Sequence, residues 1–450
     1  MKRPTFLVAG TAASALLFAI AGTASAGAYY LQEQSVKANG RAWSGEVAES
    51  GVQQLWWNPA AIGGLSSSEG YLGLTQIQPR AISSNLNTRV IRPTLALSST
   101  MIIPSTNQAV GGDQSSSNPI KNGTLPTGGF AIPLNSRWTF GLLATSPYSF
   151  TTDYSATSWA RYDADKTELR TYDVQPTIAF APTHEVSFGL GLNAEYMDAT
   201  LSNFLPDPLS SAYPDGHQSL QGNGWNYGYS VGAQYHSGKI ELGASYKSAI
   251  KHKLRGSLTI SGLADPIALA AGLNSTTSGA HAGFSTPWQA QIGIRYHLDP
   301  VWIVEGSIVQ SGWRKFDAIN VTLPTSTVTT AIPENYKDTT AYSVGADARI
   351  NAKWTLRGGV QMDKSPIPAG ERDPRVPDGD RTTYAVGATY TVNNRAGIDL
   401  SLGYTHFSSV AIDKTEAAFA GTALQTVILT SGQLQKAHAL TFGIGTHFGF

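Results

Sequence analysis

The chain has 450 residues, no cysteine, and 31 basic against 31 acidic residues. No disulfide framework or thiolate metal site is available, and a chain with no net charge lacks the basic surface that nucleic acid requires. Charged residues make up only 14% of the chain, against about 25% in an ordinary soluble domain, while Gly (46), Tyr (19) and Trp (10) are plentiful, a balance that suits a lipid-facing wall.

At the start, Lys2 and Arg3 precede an apolar stretch holding Leu16, Leu17, Phe18 and Ile20, and Ala24-Ser25-Ala26 forms a small-residue cleavage site. This order predicts a signal peptide over 1–26 and a mature chain beginning at Gly27. The alternative is a membrane anchor, for which the apolar run is short. No later stretch reaches about 18 consecutive apolar residues, so a membrane-embedded chain must close its backbone hydrogen bonds as a β-barrel.

Residues 27–66 show no strand periodicity. They hold Trp43, Trp56, Trp57 and the turn-like Asn58-Pro59-Ala60. The segment is too apolar for a solvated tail. It is expected to fold into a barrel lumen as a plug, since a wide barrel needs filling; a periplasmic extension is the alternative.

Residues 67–450 read as the barrel. Over 185–196 the even positions are Val186, Phe188, Leu190, Leu192, Ala194 and Tyr196, and the odd ones are polar or Gly. One face meets lipid and the other the lumen. The pattern repeats at Ile240, Leu242 and Tyr246, at Ile292 and Ile294, at Tyr342 and Val344, and through Leu440, Phe442, Ile444 and Phe448 to the terminal Phe450. Six short turns, near residues 135, 182, 237, 299, 351 and 393, alternate with seven long loops. That predicts an all-β, transmembrane antiparallel barrel of about fourteen strands in an outer membrane, with short periplasmic turns and long extracellular loops.

Within this wall, Pro147 interrupts the third strand, next to Tyr148. Proline removes a ladder donor, so either pairing breaks here or the strand ends at Ser146. Pro176 lies in the next strand. In loop 201–222, Phe204, Leu205 and Leu209 are apolar, and in loop 255–283 so are Leu263, Ile267 and Leu269, with a short amphipathic helix expected over 263–273. Apolar side chains on water-facing loops either pack together or line a binding groove. Lumen-facing bases by parity include Lys247, Lys251, Arg295, Arg349 and Arg357; lumen-facing acids include Glu195, Glu241, Glu305, Asp347 and Asp399. Mutual pairing is the simpler role. Arg295, Arg349 and Arg357 are the candidates for holding a ligand carboxylate. Asp373, Asp378 and Asp380 do not match a calcium-loop spacing. No zincin, nucleophile-elbow or phosphate-loop motif occurs, so neither an enzyme activity nor a cofactor or metal is expected.

Four blocks in order resemble the FadL/TodX (OmpP1) family of outer-membrane transporters for long-chain fatty acids and other hydrophobic compounds. They are Gly27-Ala28-Tyr29-Tyr30-Leu31-Gln32-Glu33-Gln34, Gly40-Arg41-Ala42-Trp43-Ser44-Gly45-Glu46, Trp57-Asn58-Pro59-Ala60, and Ser365-Pro366-Ile367-Pro368 followed by Pro377-Asp378-Gly379-Asp380-Arg381. The resemblance implies a fourteen-stranded barrel whose N-terminal residues form a hatch. It implies passive uptake of long-chain fatty acids or, in the aromatic branch, of toluene-like hydrocarbons. Ligand would be caught at an outer groove (Phe204, Leu205, Leu209, Leu263, Ile267, Leu269) and pass to a site beside Gly27, Ala28 and Tyr29. A shift of the hatch, which holds Trp43 and Asn58-Pro59-Ala60, would then release it sideways through a gap at Pro147 and Tyr148. In well-studied members the fifth strand ends in basic residues. Here it reads Tyr196-Met197-Asp198-Ala199-Thr200, with none, which leaves uncharged or aromatic ligands open. The expected partners are that ligand, the bilayer with its lipopolysaccharide, and the barrel-assembly machinery through the terminal aromatic. An open general porin, a loop-based adhesin and an outer-membrane lipase are the rivals.

Overall fold

The structure is a computed structural model that describes residues 28–96, 100–324 and 329–450. The expected signal peptide over 1–26 and Gly27 lie outside the described residues.

Fourteen strands form the wall. In chain order they are β1 (Glu69–Asn85), β2 (Gly123–Pro133), β3 (Trp138–Thr145, resumed as Ser149–Asp153), β4 (Lys166–Phe180), β5 (Val186–Leu205), β6 (Gly216–Ser237) and β7 (Ile240–Lys247, resumed as Lys251–Ser261). Then come β8 (Ser275–Ser285, resumed as Trp288–His297), β9 (Trp302–Gly312), β10 (Thr339–Arg349), β11 (Trp354–Asp363), β12 (Arg381–Asn393), β13 (Ala396–Phe407) and β14 (Thr426–Gly449). Each pairs antiparallel with its sequence neighbours, and β1 closes on β14 from Glu69↔Gly449 to Asn85↔Gly432. Closure leaves no open edge, the condition for a sheet to stand in lipid.

The two faces follow the expected alternation. On β5, Phe188, Leu190 and Leu192 face outward while Ser187, Asn193 and Glu195 are buried inside. Trp138 and Phe180 meet at one rim, with ring centroids 4.6 Å apart, and Trp354 and Tyr390 at 5.0 Å. Tyr196 and Trp225 pair nearer the other rim. These are the aromatic girdles that anchor a barrel at its two interfaces. Several loops expected as irregular are extended hairpins instead. The β5–β6 ladder runs on to Leu205↔Gly216, so the loop spans only 206–215. Backbone pairing satisfies these polar groups beyond the bilayer.

The hatch fills the lumen. Residues 28–62 are almost all buried, with one short helix, α1 (Val36–Asn39), and two 3-10 turns. Ser35 caps α1 by accepting the Ala38 N–H. Asn58 explains the Asn-Pro-Ala motif: its Oδ1 accepts from Ala60 N (2.9 Å), and its Nδ2 donates to Val47 O (2.7 Å) and to Ala233 O of the wall (3.1 Å). Pro59 sits at the first position of that turn, where a missing N–H costs nothing.

The wall is cut back to receive this segment. A Cβ on Gly243 of β7 would lie 1.9 Å from the Val47 carbonyl oxygen, and one on Gly359 of β11 would lie 2.1 Å from the Arg41 carbonyl oxygen. The obstruction is backbone and cannot rotate away. Gly243→Val should therefore unseat the hatch at a cost of about 1–3 kcal/mol or more, seen as trypsin cleavage at Lys37 or Arg41 in a barrel that stays folded. Cleavage no faster than in the wild type would contradict this seat.

Candidate functional site

The third strand is broken between Thr145 and Ser149. β2 pairs with β3 only as far as Gly128↔Ala144, and contact with that side resumes at Lys121 N to Thr151 O (3.0 Å). On the β4 side the register slips by one residue between Asp173↔Thr145 and Arg170↔Ser149. The Thr171 hydroxyl patches the slip, accepting from Tyr148 N (2.9 Å) and donating to Tyr148 O (2.7 Å). Pro147 is thus the centre of a bulge within the strand, which does not end at Ser146. Pro176 has its own effect: the β4–β5 ladder skips Gln175 and Pro176 without changing register.

The hatch takes the missing neighbour's place at this bulge. Leu31 N donates to Pro147 O (2.8 Å) and Ser149 N donates to Tyr29 O (3.2 Å), which makes Tyr30 and Tyr148 an antiparallel pair. The start of the hatch is held above by Ala28 N donating to Asp378 Oδ2 (3.1 Å). Three residues of hatch therefore seal an edge that β2 leaves unpaired.

The Tyr29 side chain sits in a box of rings: Trp313 at 5.2 Å, Phe316 at 5.4 Å and Tyr148 at 5.9 Å. Tyr336 stacks edge-on to Phe316 at 4.8 Å. A narrow apolar cavity of about 30 Å³ leads off among β5, β6 and β7, lined by Leu201, Leu220, Leu254, Phe284 and Ile319. Phe284 touches Phe316 at 5.6 Å, so cavity and box adjoin. The cavity holds little more than a water molecule. A larger guest must move the hatch or the rings.

The opposite flank of the hatch is held by charge. Arg41 is wholly buried. It pairs with Glu46 (2.6 Å) and Glu49 of the hatch, and with Glu305 (3.4 Å) and Asp347 (3.2 Å) of the wall. Arg295 binds Glu241 (2.8 Å), Glu305 (2.7 Å), Glu49 (3.2 Å) and Asp347 (3.4 Å), and Arg357 binds Asp347 and Asp399. Burial works to raise the Glu49 carboxyl, but Arg295, Arg41 and Lys37 outweigh it and hold it well below the usual carboxylate range. Glu33, further along the hatch, lacks such a set, and burial pushes its carboxyl up.

Two of the three candidate carboxylate partners, Arg295 and Arg357, are therefore committed to this cluster. Arg349 stands exposed at the turn end of β10, past the hatch, and joins nothing in the lumen. Lys251 is also exposed, because the break at 248–250 in β7 reverses which parity faces inward and His252 points in instead. Asp373, Asp378 and Asp380 diverge to Lys414, Ala28 N and Lys364.

The outer apolar residues do not form one patch. Phe204 and Leu205 pack with Val90, Val110, Tyr162 and Ala418 of other loops and with Ile428 of β14. Leu209 is half-buried beside Asp207. Leu263 is buried against Gly216. The expected helix over 263–273 shortens to α2 (Pro266–Ala270), capped by Asp265. It buries Ala268, leaves Ile267 half-buried, and leaves Leu269, Ala270 and Ala271 exposed. Trp43 is buried, with its indole N–H on Asn39 (3.0 Å). Parity and resemblance missed Arg41 as the hub of the charge cluster. They also missed Trp313, Phe316 and Tyr336, which lie on a loop without periodicity.

Residues 17–448 match the family model described as outer membrane protein transport protein (OMPP1/FadL/TodX). The long-chain fatty acid transport protein of Escherichia coli K12 is 25% identical over 417 residues, covering 83% of this chain and 90% of that protein. Among solved structures, a Pseudomonas aeruginosa FadL homologue superposes with a TM-score of 0.80 at 20% identity, covering 94% of this chain and 100% of the other. The Pseudomonas putida toluene transporter TodX gives 0.63 at 16% identity, covering 94% and 100%. The barrel fold is common to this chain and the two solved structures.

Proposed function

Because the chain belongs to the OMPP1/FadL/TodX family of outer membrane transport proteins, we propose that it takes up long-chain fatty acids or related hydrophobic molecules passively, with the hatch as its gate. That it is an outer-membrane β-barrel transporter of hydrophobic compounds, and not an enzyme, follows from the family and the fold. Gating rests on one observation: residues 29–31 of the hatch pair with the broken third strand where β2 does not. Ligand reaching the Tyr29 box would displace those residues, and the gap at Pro147 and Tyr148 would open sideways into the bilayer. Each methylene moved out of water contributes about 0.8 kcal/mol, enough to offset the few hydrogen bonds released. Phe204, Leu205, Leu209, Leu263, Ile267 and Leu269 remain the proposed outer capture surface, of which only Phe204 and Leu205 share a cluster. Cleavage before Gly27, a hatch over 27–66, and contacts with lipopolysaccharide and the assembly machinery complete the proposal.

A second reading, uptake of aromatic hydrocarbons, is favoured by the ring box and by the commitment of Arg295 and Arg357 to wall acids. Labelled oleate and labelled toluene, offered to cells lacking their own transporters, test both. Oleate uptake several-fold above the empty-vector control supports the first, and toluene uptake alone supports the second. Uptake of neither, or free ion conductance by the purified wild type, would overturn the proposal in favour of a porin or adhesin.

A further inference from the structure

Asp173, Glu195, Lys247 and His252 form a buried ionisable group in the lumen apart from the charge cluster. Asp173 of β4 and Glu195 of β5 are cross-strand partners. His252, from the resumed part of β7, places Nε2 3.2 Å from Glu195 Oε1. Lys247 ends the first part of β7, with its ammonium over the Trp56 ring of the hatch. The His252 ring lies 5.4 Å from that of Phe284, which in turn touches Phe316, so the group adjoins the ring box.

Its hydrogen bonding is incomplete. Asn193 serves one oxygen of Asp173 (2.9 Å). Among the described residues, the other Asp173 oxygen, Glu195 Oε2, the Lys247 ammonium and the Tyr29 hydroxyl have no hydrogen-bond partner, and Glu195 Oε1 faces only His252, although Lys247 is only 9% exposed and Glu195 only 1%. Buried groups of this kind are normally satisfied. A donor and acceptors left open side by side point to a guest.

We propose that Glu195 and Lys247 are the head-group pocket of the inner site, and that it accepts an uncharged head bearing an O–H (an alcohol, a phenol or an un-ionised carboxyl) and disfavours a carboxylate. The inference rests on the uptake route proposed above and adds the class of head group. A hydroxyl donates one hydrogen bond and accepts others, so it can donate to Glu195 and accept from Lys247 at once. A carboxylate can only accept. It would also arrive as a third anion beside Asp173 and Glu195, facing Lys247 and His252, in a site where like charges are poorly screened. The lumen cations Arg295 and Arg357 are held by wall acids and are not free to pair with it.

The test uses the full mature barrel in maltoside micelles, with tryptophan fluorescence as readout and free ligand concentrations measured. Decan-1-ol is compared with decanoate at a pH where decanoate is ionised. The wild type should bind the alcohol at least tenfold more tightly. In Glu195→Gln combined with Asp173→Asn that preference should fall to within about threefold, because the anion is admitted. Heat-modifiable mobility on gels shows whether the variant barrel is folded, and the wild-type comparison stands without it. Decanoate binding as tightly as decan-1-ol to the wild type overturns this inference and leaves the uptake route standing. Binding of neither ligand overturns both.

Discussion

Arg41→Met should turn an electrically silent barrel into one that conducts ions. Arg41 is the hatch's only side chain that bonds Glu305 and Asp347 of the wall among the described residues, and it also neutralises Glu46 and Glu49 beside it. Its removal leaves four carboxylates with Arg295, Lys37 and Arg357 as their remaining cations. Breaking a buried pair by deleting one partner costs about 3–5 kcal/mol, because the other charge stays buried without compensation. The cost falls on the hatch. The wall keeps its ladder from β1 to β14 and should still migrate as a folded barrel. Planar-bilayer recordings should show frequent openings in the variant and almost none in the wild type. A silent Arg41→Met barrel would mean that packing alone seats the hatch.

The wall was legible because lipid imposes a strict period of two. Phe188, Leu190 and Leu192 face outward as that period requires, and the six short turns mark the strand pairs. The plug was legible for the opposite reason: the segment before the first strand is apolar but has no strand period, and its residues 28–62 are almost all buried. Parity states which face a residue occupies and says nothing of its height. Arg349 and Arg357 therefore looked equivalent, although one lies past the hatch and the other inside the charge cluster. It also fails wherever a strand breaks, as between Lys247 and Lys251. Residues 295, 305, 347 and 357 meet through the registers of neighbouring strands, such as Arg295↔Glu305 and Asp347↔Arg357, but Arg41 reaches them only because the hatch folds into the lumen. The ring box likewise depends on where the loop bearing Trp313 and Phe316 folds back. No local pattern carries that information.

The gate is most directly tested by fastening it. Tyr30 and Tyr148 form an antiparallel pair flanked by the Leu31–Pro147 and Tyr29–Ser149 hydrogen bonds. It is the non-hydrogen-bonded kind of pair, whose Cα atoms lie about 4.5 Å apart, within the span a disulfide bridges. The chain has no cysteine of its own, so Tyr30→Cys with Tyr148→Cys introduces one possible intramolecular bond. Oxidised, it ties the start of the hatch to the broken strand. If residues 29–31 must leave that strand for ligand to pass, oxidation should lower labelled-oleate uptake at least tenfold, and dithiothreitol should restore it to the level of the reduced variant. The reduced form carries both substitutions, so loss of the two rings cannot produce the difference. Equal uptake by the oxidised and reduced forms, with the bond verified by mass spectrometry, would contradict the hatch as the gate.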